Sequence, residues 1–214
     1  MTPNGAFDGW PANRASPASQ PTTTTRGRET EGLVDFIGRD FVPDQPGEVL
    51  YTDITYVATQ QDGWAYVVLF TDACSRRIVS WEIGPTMDTT FVLHALETAL
   101  VDLAPDPGRL VVHSDRGSQY TSKAFRDRCF EAGVIPSVGR TGSCYDKAQA
   151  ESTNATIKKE LINLRKWKNL DEVRLAMFEF IEADYNRGRI QKALGFLTPE
   201  EFEAQHRVNL TQAA

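Results

Sequence analysis

Three acidic residues have types and settings suited to holding a hard cation: Asp53, Asp115 and Glu151, the last two separated by 35 residues. Asp53 lies in an apolar, β-branched run, Tyr51-Thr52-Asp53-Ile54-Thr55-Tyr56-Val57, where aspartate is disfavoured. Asp115 follows a second such run, Leu110-Val111-Val112-His113-Ser114, and precedes the glycine turn Arg116-Gly117-Ser118. Glu151 opens a stretch of helical character, Glu151 to Glu160. Two strand carboxylates and one helix carboxylate can converge on Mg²⁺, which takes oxygen ligands and completes its shell with water and substrate phosphate oxygens. Two such ions about 3.5–4 Å apart would activate an attacking oxygen and stabilise a leaving one.

The elements that must position these residues follow from the patterning. Strands are predicted near 49–58, 64–71 and 77–83, joined by turns at Gln61-Asp62-Gly63 and at Asp72 to Arg76, which implies an antiparallel meander. Phe91, Val92, Ala95, Leu96, Ala99, Leu100 and Leu103 recur at helical spacing, predicting a helix over 88–103 that Pro105 and Pro107 terminate. A strand at 109–113 leads into Asp115, a helix at 121–132 stops at Gly133, and a short strand occupies 134–137. Helices are predicted over 147–164 and 170–186. Three antiparallel strands followed by alternating helix and strand is an α/β order. Strand alternation puts Asp53 and Thr55 on one face, Ile54 and Tyr56 on the other.

The strings Thr52-Asp53-Ile54-Thr55-Tyr56, His113-Ser114-Asp115-Arg116-Gly117-Ser118-Gln119-Tyr120 and Cys144-Tyr145-Asp146-Lys147-Ala148-Gln149-Ala150-Glu151-Ser152 resemble the integrase core of DDE transposases, and more narrowly the OrfB-type transposases of bacterial insertion sequences (the IS-three family). Tyr185-Asn186-Arg187 and Leu194-Gly195-Phe196-Leu197-Thr198-Pro199-Glu200-Glu201-Phe202 resemble that family's C-terminal signature. The resemblance implies a ribonuclease-H-like fold with a mixed five-stranded sheet flanked by helices. It also implies a catalytic and metal-binding triad of Asp53, Asp115 and Glu151, two Mg²⁺ or Mn²⁺ ions, and cleavage and joining of DNA strands. Insertion-sequence ends and target DNA would be the partners, bound by a homo-oligomer in the bacterial cytoplasm, associated with the nucleoid. Two positions depart from the family pattern. Leu50 stands where Trp is usual, a packing substitution, and Lys147 stands where Asn is usual, placing a cation four residues before Glu151.

Around the triad, Lys158, two helical turns beyond Glu151 on the same face, is expected to meet DNA phosphate, with Lys159 and Lys147 as further DNA contacts and Arg187 and Arg189 as weaker ones. Asp72 reads as a turn residue, Asp146 as a helix N-cap, His113 as a packed or hydrogen-bonded histidine, and Gly117 and Gly142 as turn devices. The net charge of −6 opposes DNA binding by the chain as a whole, but residues 147–192 carry ten basic and seven acidic side chains, a net of +3. Cys74, Cys129 and Cys144 form no Cys-x-x-Cys pair and read as reduced thiols. No apolar run of membrane-spanning length occurs. Residues 1–31, rich in Pro, Thr, Ser, Ala and Gly, read as a disordered leader, residues 40–203 as the catalytic core and residues 204–214 as a C-terminal tail. No helix-turn-helix periodicity precedes the core. Two other functions fit this arrangement: a hydrolase that cuts without joining, and an impaired transposase that binds DNA or full-length transposase without catalysis.

Overall fold

The computed structural model describes residues 34–37, 43–139 and 148–213, with side chains over 34–37, 43–139 and 152–212. The expected leader at 1–31, the N-cap Asp146, Gly142, Cys144 and Lys147 lie outside the described residues.

The meander forms first in the chain: β1 (Val49–Ala58), β2 (Trp64–Asp72) and β3 (Ile78–Gly84), each antiparallel to the next. Gly63, at φ 77°, takes the left-handed position of the first turn. At the second, Asp72 is wholly buried and accepts the N–H groups of Gly47 (2.7 Å), Ser75 (2.7 Å) and Cys74 (3.0 Å). Burial raises its carboxyl above the usual range, against the lowering effect of those hydrogen bonds, with the nearby Glu203 charge adding to the rise. Asp72 is thus a turn residue, as its sequence setting suggests.

The helix α1 (Thr89–Leu103) then crosses the sheet, capped by the Asp88 carboxylate accepting from Phe91 N–H at 2.9 Å. It returns the chain as β4 (Val111–Ser114), which pairs parallel with β1, and β5 (Ile135–Val138) pairs parallel with β4. The sheet order is β3-β2-β1-β4-β5, so β1 is central and buried on both faces. Between β4 and β5 the chain makes a short helix, α2 (Ser118–Thr121), and then α3 (Lys123–Glu131). They are separate because Ser122 is extended and caps α3. Gly133 ends that region at φ 69°, and a Cβ there would lie 2.9 Å from the Pro107 backbone.

One face of the sheet packs Leu50, Ile54, Val68 and Phe70 against Phe91, Val92, Leu96 and Phe125 of α1 and α3. Leu50, at the position where the family pattern has Trp, is fully buried here. The other face packs Val57, Val67, Leu69 and Ile83 against α4 (Ala148–Glu160) and α5 (Leu170–Glu179). The single helix predicted over 147–164 gives way after Glu160 to a 3₁₀ turn at Ile162–Leu164, and α5 continues as a π-helical turn at Phe180–Tyr185. Cys74 and Cys129 are free thiols whose pKa burial pushes up to about 11 and about 12, so neither is ionised at neutral pH.

The C-terminal signature motifs hold the fold together. The Asn186 amide donates to Ile78 C=O and accepts from Ile78 N–H, both at 3.0 Å, occupying the edge of β3 as a neighbouring strand would. Thr198 and Glu201 form a reciprocal capping box at the start of α6 (Pro199–Ala213), with Pro199 in the first turn. The sequence pattern gives 204–214 no element, whereas α6 runs on to Ala213. Its anchor is Glu203, a buried carboxylate that accepts from Ser75 Oγ at 2.7 Å and Arg77 Nε at 2.9 Å. Among the described residues, no helix is long and apolar enough to cross a membrane.

Candidate active site

The parallel pairing of β1 and β4 sets the geometry. Its last register pair is Tyr51 with His113, whose rings meet edge to face at 5.7 Å, so the odd-numbered residues of both strands share a face. Two residues further along the chain from that pair come Asp53 and Asp115, which continuation of the same register would put on one face. Asp115 sits just past the end of β4, where the strand gives way to a turn. Its Oδ1 accepts the Gly117 N–H at 2.8 Å. A Cβ on Gly117 would lie 2.9 Å from that same oxygen and 2.9 Å from Gln119 Oε1, so a larger residue there would require the Asp115 and Gln119 side chains to shift.

Both carboxylates act on one neighbour. Tyr120 is buried, and its hydroxyl pairs with Thr52 Oγ1 at 3.1 Å. Burial first, then the negative charges of Asp53 and Asp115, push the phenol well above its ordinary pKa, the Thr52 hydrogen bond pulling the other way. Tyr120 is therefore held protonated.

Helix α4 joins the site through Asn154. This residue is buried, and its Nδ2 donates to Asp53 Oδ2 at 2.8 Å. Asn154 lies three residues after Glu151, so the Glu151 backbone is one helical turn N-terminal to the contact. The Glu151 side chain lies outside the described residues. Among the described residues no group of three His, Cys, Asp or Glu side chains gathers to hold a metal. Further oxygens accompany the two aspartates, and the His113 ring, held by Ser137, lies on the same face. Thr55 Oγ1, Gln119 Oε1 and Asn154 Oδ1 are buried oxygens without a hydrogen-bond partner in the fold, on residues beside the two aspartates in sequence or in space. That chemistry fits a hard cation and its bound water rather than a soft metal.

Of the expected DNA contacts, Lys158 is half-buried with its ammonium 4.9 Å from the centre of the Tyr56 ring, three residues along β1 from Asp53. Lys159 is exposed in the last turn of α4. Arg187 pairs with Glu200 at 3.1 Å, and Arg189 pairs with Glu160. His113 is buried and shares a hydrogen bond with Ser137 Oγ at 2.9 Å, the packed role read from its strand. The sequence pattern does not mark Asn154 or Tyr120 as site residues. Asn154 was legible in principle, since it falls one turn from Glu151 next to Thr153 and Ile157 on the inward face.

Comparison with known proteins agrees with this geometry. Two integrase core domain families match the chain, one over residues 43–144 and the other over residues 132–199. The transposase for insertion sequence element IS629 of Shigella sonnei is 42% identical over 180 residues, covering 84% of this chain and 60% of that protein. A putative transposase for insertion sequence element IS986/IS6110 of Mycobacterium tuberculosis is 40% identical over 189 residues, 86% of this chain and 67% of that protein. The chain thus spans 60–67% of the length of these two relatives. Among solved structures, the HTLV-2 integrase catalytic core domain in complex with magnesium superposes with a TM-score of 0.55 at 17% identity, covering 74% of this chain and 97% of that one. At that identity the likeness concerns the fold, which is that of the ribonuclease-H-like integrase cores.

Proposed function

We infer, because this chain belongs to the family of integrase-core transposases of bacterial insertion sequences, that it cleaves and joins DNA strands in a metal-dependent reaction at Asp53, Asp115 and Glu151. The observation that carries the reading is the Asn154–Asp53 hydrogen bond, which holds α4, the helix bearing Glu151, against β1. Asp53, Asp115 and Glu151 would hold two Mg²⁺ or Mn²⁺ ions, which when bound lower the pKa of an attacking oxygen and offset charge on the phosphate and leaving oxygen.

The chain's own residues do the rest. Asn154 fixes the rotamer of Asp53 by taking up Oδ2. Gly117 lets the Asp115 carboxylate fold back onto its own turn. Tyr120 stays neutral, so it serves as a hydrogen-bonded prop for Thr52 and not as a nucleophile. Water attacks a phosphodiester, the P–O3′ bond breaks, and the departing O3′ takes a proton to become a 3′-hydroxyl. That hydroxyl then attacks a second phosphodiester, whose own O3′ leaves as the new bond forms. No covalent enzyme–DNA intermediate is required, and positioning with charge neutralisation carries the catalysis. Lys158, Lys159 and Lys147 would contact the backbone of insertion-sequence ends or target DNA, with the chain acting as a homo-oligomer on DNA in the bacterial cytoplasm, at the nucleoid.

The test is a strand-transfer assay on duplexes carrying the element's own ends, with Mg²⁺ titrated. Cut and joined products that disappear with chelator are expected. Asn154→Ala should reduce the rate or the apparent Mg²⁺ affinity by about 10–100-fold, as loss of an outer-shell partner does. Cut product without joined product would identify a hydrolase. DNA binding with no cleavage at any Mg²⁺ concentration would identify a catalytically impaired transposase.

A further inference from the structure

A second cationic feature lies on other elements than the carboxylate site. The β2–β3 turn and the segment after the π-helical turn enclose an open groove of about 590 Å³, lined by Arg76, Arg189, Ile190, Gln191, Lys192 and Ala193. Three of these six residues are cationic and none is acidic. The contrast with a neighbouring cleft of about 630 Å³ is informative. There Arg77, Arg109 and Arg207 are outnumbered by Glu48, Asp102, Asp106, Glu200 and Glu203.

In the groove, neither Arg76 nor Lys192 has an ion-pair partner among the described residues. Arg189 is pinned by Glu160 and lies 6.0 Å from the Tyr185 ring, which fixes its position at the wall. Arg76 sits at φ 61°, a left-handed conformation set by the turn in which its N–H bonds Asp72 C=O at 2.9 Å. That strain is held by the buried turn around Asp72 and aims the Arg76 backbone at a fixed angle. Gln191 lines the groove between Ile190 and Lys192. Its backbone is held by Gln191 N–H to Leu197 C=O and Phe196 N–H to Gln191 C=O, at 2.9 and 3.0 Å. Beside the groove Ile190 and Phe196 are 65% and 67% exposed, and Phe196 too is left-handed, at φ 67°.

We propose that this groove is a second duplex-DNA site, in which Arg76 and Lys192 neutralise backbone phosphates. Two cations without an ion-pair partner among the described residues, in a lining that contains no acid, make a site for an oxyanion. An open groove with an exposed apolar rim suits an extended polyanion better than a small free anion. The proposal rests on the reading of the chain as a DNA strand transferase, but phosphate binding here needs no chemistry at the carboxylates. For a chain of net charge −6, such a concentration of positive charge also orients the protein on DNA.

The experiment measures binding of the full chain to a labelled duplex of unrelated sequence by anisotropy, in chelator, across a salt series. The double variant Arg76→Ala/Lys192→Ala should bind more weakly, with the slope of log K against log salt shallower by about 1.8, roughly 0.9 for each phosphate no longer neutralised. Arg76→Lys/Lys192→Arg should keep the parent slope, which separates the effect of charge from that of structure. An unchanged slope in the alanine variant overturns the proposal, as does a parent chain that binds no duplex. Inorganic phosphate that raises the melting temperature of the parent and not of the alanine variant, with equal DNA slopes, would assign the groove to a free anion and also overturn it. Strand transfer by the parent is read separately. A slope change without strand transfer in any protein keeps the groove and removes the catalytic reading, whereas Mg²⁺-dependent joining with an unchanged slope does the reverse.

Discussion

Asp53→Asn and Asp115→Asn are each expected to lower Mg²⁺-dependent cleavage and joining by at least about 10³-fold, or about 4 kcal/mol of transition-state stabilisation, while leaving the fold and metal-free DNA binding in place. Each change replaces a carboxylate by a neutral amide of nearly the same shape, so packing is little altered and a metal-binding charge is removed. In Asp53→Asn the Oδ1 of the new amide must face Asn154 Nδ2, which now donates to Asp53 Oδ2 at 2.8 Å. An amide oxygen can accept that bond, so α4 stays docked. In Asp115→Asn the oxygen accepting from Gly117 N–H at 2.8 Å is likewise retained. Single-turnover rates on end duplexes, with melting temperature measured on the same preparations, check this. Cleavage within about tenfold of the parent in either variant, with the fold intact, would remove that residue from the catalytic assignment.

Asp53 and Asp115 stand out in the sequence because aspartate is disfavoured within or at the end of an apolar, β-branched run. The β1 run around Asp53 and the β4 run before Asp115 could be recognised as strands, and alternation placed their faces. What the sequence does not state is the register of a parallel pair, because β1 and β4 are joined through two other strands and a helix. The offset that aligns Tyr51 with His113 comes from packing. Asn154 and Glu203 stayed hidden for a different reason. A polar residue on a helix looks solvent-exposed in a sequence, and only a buried partner, Asp53 for one and Ser75 with Arg77 for the other, turns it inward.

The helices show the same division. The spacing of Phe91, Val92, Ala95, Leu96 and Ala99 fixed α1, and those five side chains are buried. The helix predicted over 147–164 is interrupted after Glu160, and the one predicted over 170–186 runs unbroken to Tyr185 but changes to π-helical geometry from Phe180. Helix α4 stops where Leu161 leaves helical geometry, φ −130°, so that the chain can turn Trp167 into the core. The π-helical turn after α5 lets Asn186 N–H reach back to Ile181 C=O at 2.9 Å and brings its amide onto the edge of β3. Both departures serve contacts made by residues far away in sequence, which local propensity does not register.

Trp167 carries the largest expected effect on stability. It is 2% exposed and lies in the core cluster with Val57, Ile157, Ile162 and Met177, between the sheet and the helices that cover it. Its indole N–H donates to Ile162 C=O at 2.9 Å, so its polar edge is satisfied, and the Arg165 guanidinium lies 4.2 Å from the ring centre. Its backbone C=O accepts from Gln60 N–H at 2.9 Å, tying the α4–α5 connection to the end of β1. Trp167→Ala removes the ring, opens a cavity and leaves the Ile162 carbonyl without that donor. The expected loss is about 3–5 kcal/mol, the range for a large aromatic truncated in a core. Trp167→Phe should lose less, because most of the apolar volume remains and only the donor and one ring are gone. Denaturant unfolding of the three proteins measures this directly, and a Trp167→Ala midpoint matching the parent would show that the ring does not hold this layer together. The consequence reaches the active site, since Ile157 packs in that same cluster one turn after Asn154 on α4. Loosening the layer should weaken the Asn154–Asp53 contact, so strand transfer by Trp167→Ala should fall at temperatures where the protein is still folded.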